Sequence, residues 1–444
     1  SSTDVGATMV NGGTLNLSAG PNTLTVINTA LASGTAFDSL TINAGATVDM
    51  KGNDQTIGNL VSADITPGGG GILTNSGAIA NLYTNANSTF GGSVNGAINL
   101  FKTGSNTLTL ANANGYTGTT NVQGGILNLQ DSGTLASTTY NLSGGQLRFD
   151  ERSTQLTDLT PRIPLSSVIN FRSGTLLDLG GPTTNATQTF TGAVSILQGQ
   201  NEIRQDAVTG ASSRNMVFTN FTIPTASNGA TVHFNSGNGN LGETGTRPSI
   251  VLPSTPTTIG GIIPWAVAQT DQPAMYNASI NPNTGLAYGV AVPNVTGGAT
   301  TTANYANTLN TGVSGNNINV GTTAINEVYT QLTRTFNSFR FSQTTATTHS
   351  LNSVGNELMR VEAGVIITNQ QSMTLNNGRI TAGLANNTPV TLYDWAISNT
   401  QTLSGQIVDN GTGALTLSKN GAGTLALTQT QSAGIEAVGA ASNT

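Results

Sequence analysis

Short runs of alternating apolar and polar residues recur along the chain, and glycine introduces most of them. Thr107-Leu-Thr-Leu110 and Ile126-Leu-Asn-Leu129 place leucine at every second position, the period of a strand that buries one face. Two phrases repeat. One is Gly-x-Asn-Thr-Leu-Thr-apolar, at 20–26 and 104–110, where Gly104 leads to Leu108 and Leu110. The stretch Lys102-Thr-Gly-Ser-Asn-Thr-Leu-Thr-Leu110 has a further copy in Lys419-Asn-Gly-Ala-Gly-Thr-Leu-Ala-Leu427. The other phrase is Gly-Gly-x-Leu-x-apolar. It occurs as Gly12, Gly13, Leu15 and Leu17, as Gly124, Gly125, Leu127 and Leu129, and as Gly144, Gly145, Leu147 and Phe149, with a looser copy at 174–179. The first glycines, at 104, 124 and 144, are evenly spaced; the copy at 174 comes later than that spacing predicts, after a stretch at 152–164 whose two prolines mark a loop.

Each phrase reads as a glycine corner followed by a short strand. Such strands, with one phrase returning once per unit, predict an all-β fold: a parallel β-helix, or β-solenoid, with three strands to a rung. A single rung cannot bury its inward residues, whereas stacked rungs make a continuous apolar column. A chain of β-sandwiches would also place strands roughly 8–12 residues apart, but it does not require one phrase to recur at each rung. At roughly 20–25 residues a rung and about 4.8 Å between strands, the chain would make roughly 18–20 rungs and a rod about 90 Å long. Residues 248–293 hold seven of the 14 prolines, together with Trp265, Met275, Tyr276 and Tyr288. Proline cannot serve in a central ladder. Rungs are therefore expected over 1–247 and 311–444, with a lateral excursion over 248–310. The alternation resumes at 335–341, 372–375 and 415–417.

Composition strengthens this reading. Only 8% of the 444 residues are charged, 14 basic and 20 acidic, against roughly 25% in an ordinary soluble domain. The chain is instead rich in glycine (55), threonine (72) and asparagine (51), all poor helix formers. Stacked asparagines and threonine ladders can bond one rung to the next. Cysteine is absent, which excludes disulfides and thiolate metal sites. The three lysines (Lys51, Lys102, Lys419) and 11 scattered arginines form no basic stripe, so nucleic acid is not an expected partner. No run of about 18 apolar residues suggests a membrane-spanning helix. The sequence opens Ser1-Ser2-Thr3-Asp4, without Met or a basic leader, and reads as a processed or trimmed piece of something longer.

The stretch from Lys102 to Leu110, followed by Gly115-Tyr-Thr-Gly-Thr-Thr-Asn-Val-Gln-Gly-Gly-Ile-Leu-Asn-Leu129, closely resembles the autotransporter-associated β-strand repeat. Asp54-Gln-Thr-Ile-Gly-Asn-Leu60 resembles the rung that usually precedes it, and Asn337-Ser-Phe-Arg-Phe341 and Ile407-Val-Asp-Asn-Gly411 resemble phrases of long proteins in that family. The resemblance covers about half the chain and is weakest over 180–330. It implies a right-handed parallel β-helix in a very large exported bacterial protein, attached to the cell surface or released. It is a structural repeat and implies no catalytic residue and no cofactor. Two features depart from the family pattern. The copy at Lys419 runs into Thr428-Gln-Thr-Gln-Ser-Ala-Gly434 in place of a Tyr-Thr-Gly-Thr-Thr phrase, and no outer-membrane barrel follows, which leaves the export route open.

Parallel β-helices also include enzymes that cleave polysaccharides, so candidate chemistry must be weighed. The densest charge cluster is Arg148, Asp150, Glu151, Arg152, Asp158 and Arg162. Two carboxylates beside arginines could act as acid and base on a glycan; the plainer reading is an ion-paired, solvated loop, with Phe149 pointing inward. His233 and His349 lack metal-ligand spacing and read as surface or turn residues, and no Gly-x-Ser-x-Gly elbow occurs. Gly68-Gly-Gly-Gly71 lacks the Lys-Ser/Thr of a phosphate loop and reads as a flexible corner. Trp265, Tyr276 and Tyr288 form a candidate partner-binding patch for glycans or proteins, against the alternative that they pack the excursion down. Threonine runs such as 300–302 are too irregular for an ice-binding array.

The leading expectation is an extracellular structural or adhesive protein: a rigid surface rod without catalytic, metal or cofactor sites, whose partners are other copies of itself or cell-surface components. Ends without capping helices would favour head-to-tail stacking into a filament or layer. The alternatives are a lyase or glycosidase on the same solenoid, and a carbohydrate-binding module centred on 253–293.

Overall fold

The leucine phrases at 104–110, 124–129, 144–149 and 174–179 lie one above another in one parallel ladder, whereas the copy at 12–17 falls on a different ladder. The computed structural model describes residues 7–24, 39–85, 87–152, 161–180, 186–206, 214–222, 229–237, 241–242, 248–269, 272–280, 286–291, 305–306, 313–320, 332–342, 347–350, 357–369, 371–376 and 378–429. Every regular element among them is a β-strand. The chain forms two compact units: residues 1–223, 236–239 and 246–253 make the first, and residues 224–235, 240–245 and 254–444 the second.

The first unit is a parallel β-helix with three main ladders. One runs through Gly13–Asn16, Ala46–Asp49, Ile72–Thr74, Ser93–Gly96, Ala113–Tyr116 and Thr134–Leu135. A second runs from Gln55–Ile57 through Ala80–Thr84, Ile98–Lys102, Thr120–Val122, Thr139–Leu142, Val168–Arg172 and Val194–Gln198 to Phe221–Thr222. The third stacks Ser88–Phe90, Thr107–Leu110, Ile126–Gln130, Gln146–Asp150, Thr175–Leu179 and Gln200–Asp206. Over 72–150 successive strands fall on the three faces in turn; the first ladder ends at Thr134–Leu135 and the other two continue.

Register follows the inward apolar side chains, because a slip of one residue would turn every leucine out to water. Leu108, Leu127, Leu147, Leu176 and Ile203 form one column, each directly opposite the next. All five are fully buried. Phe90, Leu110, Leu129 and Phe149 form a second column beside it. Two details correct the sequence reading. The phrase at Gly104 carries one more residue before its leucine than the phrase at Gly124, so Leu108 and Leu127 stand one place closer than their glycines. The copy at 174–179 pairs one place short of its own glycine spacing: Leu147 meets Leu176 rather than Leu177, and Phe149 meets Asp178. A carboxylate therefore enters the core where the phrase predicts Leu179.

The corners explain the glycines. Gly125 has φ +60°, and a Cβ there would lie 2.1 Å from the carbonyl of Asn106. Only glycine tolerates both the left-handed backbone and that approach. At the corner expected to be flexible, Gly68 borders open space but Gly69, Gly70 and Gly71 are closely packed. A Cβ on Gly69 would strike the Asp64 carboxylate at 2.4 Å, and one on Gly71 would strike the Ala46 carbonyl at 2.4 Å.

In the second unit, one sheet carries Tyr305–Ala306, Asn317–Val320, Thr333–Phe341, Leu358–Thr368, Arg379–Ala382 and Gln406–Ile407. Leu358–Thr368 also pairs with Val390–Ala396, which pairs with Leu415–Asn420. A four-stranded sheet holds Thr347–Ser350, Met373–Asn376, Thr400–Leu403 and Thr424–Leu427. All these pairings are parallel. Phe336, Phe339, Phe341, Met359, Ile366 and Leu403 belong to its buried core. Within 248–310, Ser249–Val251 continues a parallel ladder of the first unit, against Arg214–Phe218. In the second unit, Ala266–Ala268 pairs parallel with Thr231–Asn235 but antiparallel with Gln272–Pro273, and Met275–Ile280 forms an antiparallel hairpin with Ala287–Ala291.

Candidate functional site

The chemistry-bearing residues of the first unit are bound into the solenoid itself. On its second ladder, Asn170 Nδ2 donates to Asn141 Oδ1 at 3.0 Å and Asn141 Nδ2 to Asn121 Oδ1 at 2.9 Å. Earlier on the same ladder, Asn99 Nδ2 donates to Asn81 Oδ1 (3.0 Å), and Asn81 Nδ2 donates to the Asp54 carboxylate (2.9 Å). Each amide donates toward the preceding rung, so the bonds run in one direction. Beside this row Tyr83 and Phe101 stack with centroids 4.6 Å apart.

Lys102 points inward and is fully buried. Its Nζ donates to the carbonyls of Thr103 (2.6 Å) and Gly124 (3.4 Å), closing one corner onto the next rung. Burial pushes this lysine down to about 8. The other copy of the phrase repeats the contact within its own corner only: the exposed Lys419 Nζ donates to Asn420 O (2.7 Å) and Gly421 O (2.8 Å). The same sequence position thus caps corner carbonyls in both units.

The described members of the charge cluster are engaged with one another or with the neighbouring rung. Arg148 Nε donates to Asn128 Oδ1 at 2.7 Å. Arg152 forms a two-pronged bond to Asp150, with both contacts at 2.9 Å. Burial opposes the Asp150 charge, but Arg152 and the nearby Arg148 outweigh it and hold the carboxyl below its ordinary range. Glu151 and Arg162 are a buried ion pair, with Nη2 to Oε2 at 2.7 Å. Arg162 also donates to the carbonyls of Asp131, Gly133 and Asp150 at 2.8–3.2 Å. The solvated loop expected from the sequence is therefore, at this pair, an interior clasp holding residues 151 and 162 together. Asp158 lies outside the described residues.

Residues 100–129 match the family model of the passenger-associated-transport-repeat. No curated protein and no solved structure matches the chain. The repeat spans the strands at Thr107–Leu110, Ala113–Tyr116, Thr120–Val122 and Ile126–Gln130, and Lys102 with its corner contacts lies inside it. The repeat-defining leucines do the packing of the solenoid: Leu17, Leu108, Leu110, Leu127, Leu129 and Leu147 are buried, as is Phe149, while Leu15 is half-buried against Val48. Gly12 and Gly13 border open space, whereas Gly104, Gly124, Gly144 and Gly145 sit at corners against the adjacent rung.

Nothing in the repeated phrases points to the polar group that follows the repeat. Asp178 is buried beside Arg214, with Nη2 3.1 Å from Oδ1, and beside the Gln205 amide at 3.1 Å. Burial raises the Asp178 carboxyl, while Arg214 and Gln205 oppose the rise. Only the shortened step from Leu147 to Leu176 could have revealed it, by placing Asp178 and Gln205 in the column of Phe149.

The candidate patch residues lie in the second unit. Trp265 is buried, edge-on to Phe234 with centroids 6.1 Å apart. Tyr276 is half-buried opposite Val290. The side chains of Tyr288 and His349 lie outside what the structure describes. His233 Nε2 is 2.8 Å from the Gln269 carbonyl oxygen. Among the described residues no group of three or more His, Asp or Glu could hold a metal ion, and no helix is long and apolar enough to cross a membrane.

Proposed function

We propose that this protein is an extracellular structural or adhesive element of the cell surface, whose working property is the stiffness of its ladder-bonded solenoid, and that copies of it assemble into a filament or layer. The observation that carries this reading is the in-register ladder, reinforced by asparagine amides bonded from rung to rung and by Lys102 bonded to the next corner. A parallel stack with such cross-rung bonds resists bending and local opening, because the backbone groups of its inner strands have partners above and below. The charged groups that could have served as acid and base are engaged in the corner at Asp150 and Glu151. The passenger-associated-transport repeat supports export to the surface.

The test is electron microscopy together with sedimentation over a concentration series. Fibres or sheets are expected to grow with concentration; dispersed monomers at the highest concentration would remove self-assembly. Cleavage of any member of a polysaccharide panel, lost on Asp150→Asn, would replace the structural reading with an enzymatic one.

A further inference from the structure

A cavity of about 220 Å³ opens in the second unit, at a bend in its longest strand. Leu358–Thr368 pairs with Arg379–Ala382 through Val361, then with Val390–Ala396 from Val365. Glu362, Ala363 and Gly364 bridge the change of partner, and the pairing with Thr333–Phe341 shifts register at the same place, between Phe336 and Ser338. Bulges of this kind re-aim side chains and collect at functional sites. The outer wall comes from elsewhere in the chain. A turn closed by the Ile259–Ile262 bridge is pinned by Asn337 Nδ2, which donates to Gly260 O at 3.3 Å, and it brings Ile259 and Pro264 over the bend.

The lining mixes an apolar wall with under-bonded polar groups. Ile259, Pro264, Ala363, Pro389 and Val390 supply the first. Thr391 and Tyr393, two apart on one strand, supply the second. Both residues are more than nine-tenths buried. Burial raises the Tyr393 phenol, and the Thr391 hydroxyl beside it opposes the rise. Thr391 Oγ1 is buried and makes no hydrogen bond of ordinary geometry. Glu362 completes the lining, its carboxylate accepting from Ser314 Oγ at 2.5 Å and Gly315 N at 2.8 Å.

We propose that this cavity is a binding site for one pyranose ring of a glycan. A hydroxyl left without a partner in a buried wall costs free energy until something bonds it. A sugar ring offers hydroxyls that both donate and accept, beside a C–H face that suits proline, isoleucine and valine. The volume is below the roughly 300–1,000 Å³ typical of sites for drug-sized ligands, so it admits a single ring and not a stretch of chain. The proposal deepens the adhesive part of the function proposed above by giving it a ligand class, and so rests on that reading. It stands apart from Trp265, whose burial against Phe234 keeps its ring from acting as an open platform.

Saturation-transfer NMR of the whole chain with a panel of neutral methyl glycosides (gluco, galacto, manno and N-acetylglucosamine) tests it. At least one probe should bind saturably. Tyr393→Phe and Thr391→Val keep the shape and remove one hydroxyl each, and each should weaken that probe about three- to tenfold. Ala363→Leu should fill the cavity and abolish binding. Unchanged circular dichroism would establish that the variants fold. Lack of saturable binding across the panel, or unchanged affinity in both hydroxyl variants, overturns the proposal. Assembly followed by microscopy is a separate readout, so failure of the cavity and failure of the structural reading are distinguishable.

Discussion

The rungs over 98–149 are short: one circuit carries Leu108 to Leu127 and the next carries Leu127 to Leu147, around leucine and phenylalanine. The rungs over 333–427 are longer, as from Met373 to Gln401 or Thr402 to Ala426, and they admit a buried carboxylate. In the first region the charge that points inward is basic: Lys102, satisfied by backbone carbonyls of its corner. In the second it is acidic. Asp394 follows Ile366 in an inward column, and Gln401 donates to its Oδ2 while Thr368 donates to Gln401. Burial pushes Asp394 up to about 7, with the Lys419 charge on the next strand and Gln401 opposing. The contrast teaches that rung length and interior polarity go together. Short circuits are closed by the backbone and by asparagine, and their interiors can stay dry. Longer circuits leave room for side-chain amides and carboxylates, which must then be bonded.

The largest effect should come from breaking the clasp that ends the regular region. Arg162→Met removes the guanidinium from the buried Glu151 carboxylate and should cost about 3–5 kcal/mol in denaturant unfolding of the first unit. Next, Leu127→Ala and Leu403→Ala truncate fully buried leucines, one in each region. Each should cost about 2–5 kcal/mol, and near-equal values would show that the two cores pack alike despite their different rungs. A sharper contrast lies in pH. The raised Asp394 carboxyl keeps its proton when folded while the unfolded chain loses it, so the stability of the second unit should fall as pH rises from about 4 to about 7. Asp394→Asn should flatten that slope in hydrogen exchange of 390–396. Lys102 gives the opposite sign. Its folded value near 8 lies below the ordinary 10.5, so the unfolded chain holds the extra proton and the first unit should gain stability between those values. Lys102→Met should remove the gain. The smallest effect is expected at Asn141→Ala, which interrupts one amide chain and should cost about 0.5–1.5 kcal/mol.

The same contrast marks what could be read in the sequence. The glycine-led phrases locate the third ladder of the first unit because short rungs force the same residues to the same corners. Leu108, Leu127 and Leu147 carry that signal almost without interruption. It fails at Asp178, where a long circuit changes the step by one place and sends a carboxylate inward. It fails again at Glu151 and Arg162, because a buried ion pair and a surface ion pair look alike in a linear chain. The cavity at 362–393 leaves no mark in the sequence: its walls, Ile259 and Pro264 on one side and Thr391 and Tyr393 on the other, stand far apart in the chain and share no pattern. Lys419 does carry a sign of its role, since it stands where Lys102 stands in the repeated phrase.

The Glu151–Arg162 clasp has a consequence for engineering. It joins the two ends of the segment between them from inside the molecule, while Leu147 and Leu176 hold the flanking strands in phase. The length of that segment is therefore decoupled from the alignment of the coils. Residues added between Arg152 and Pro161 should leave the ladders on either side in register. The natural circuit from Leu147 to Leu176, longer than the one before it, is already an insertion of this kind.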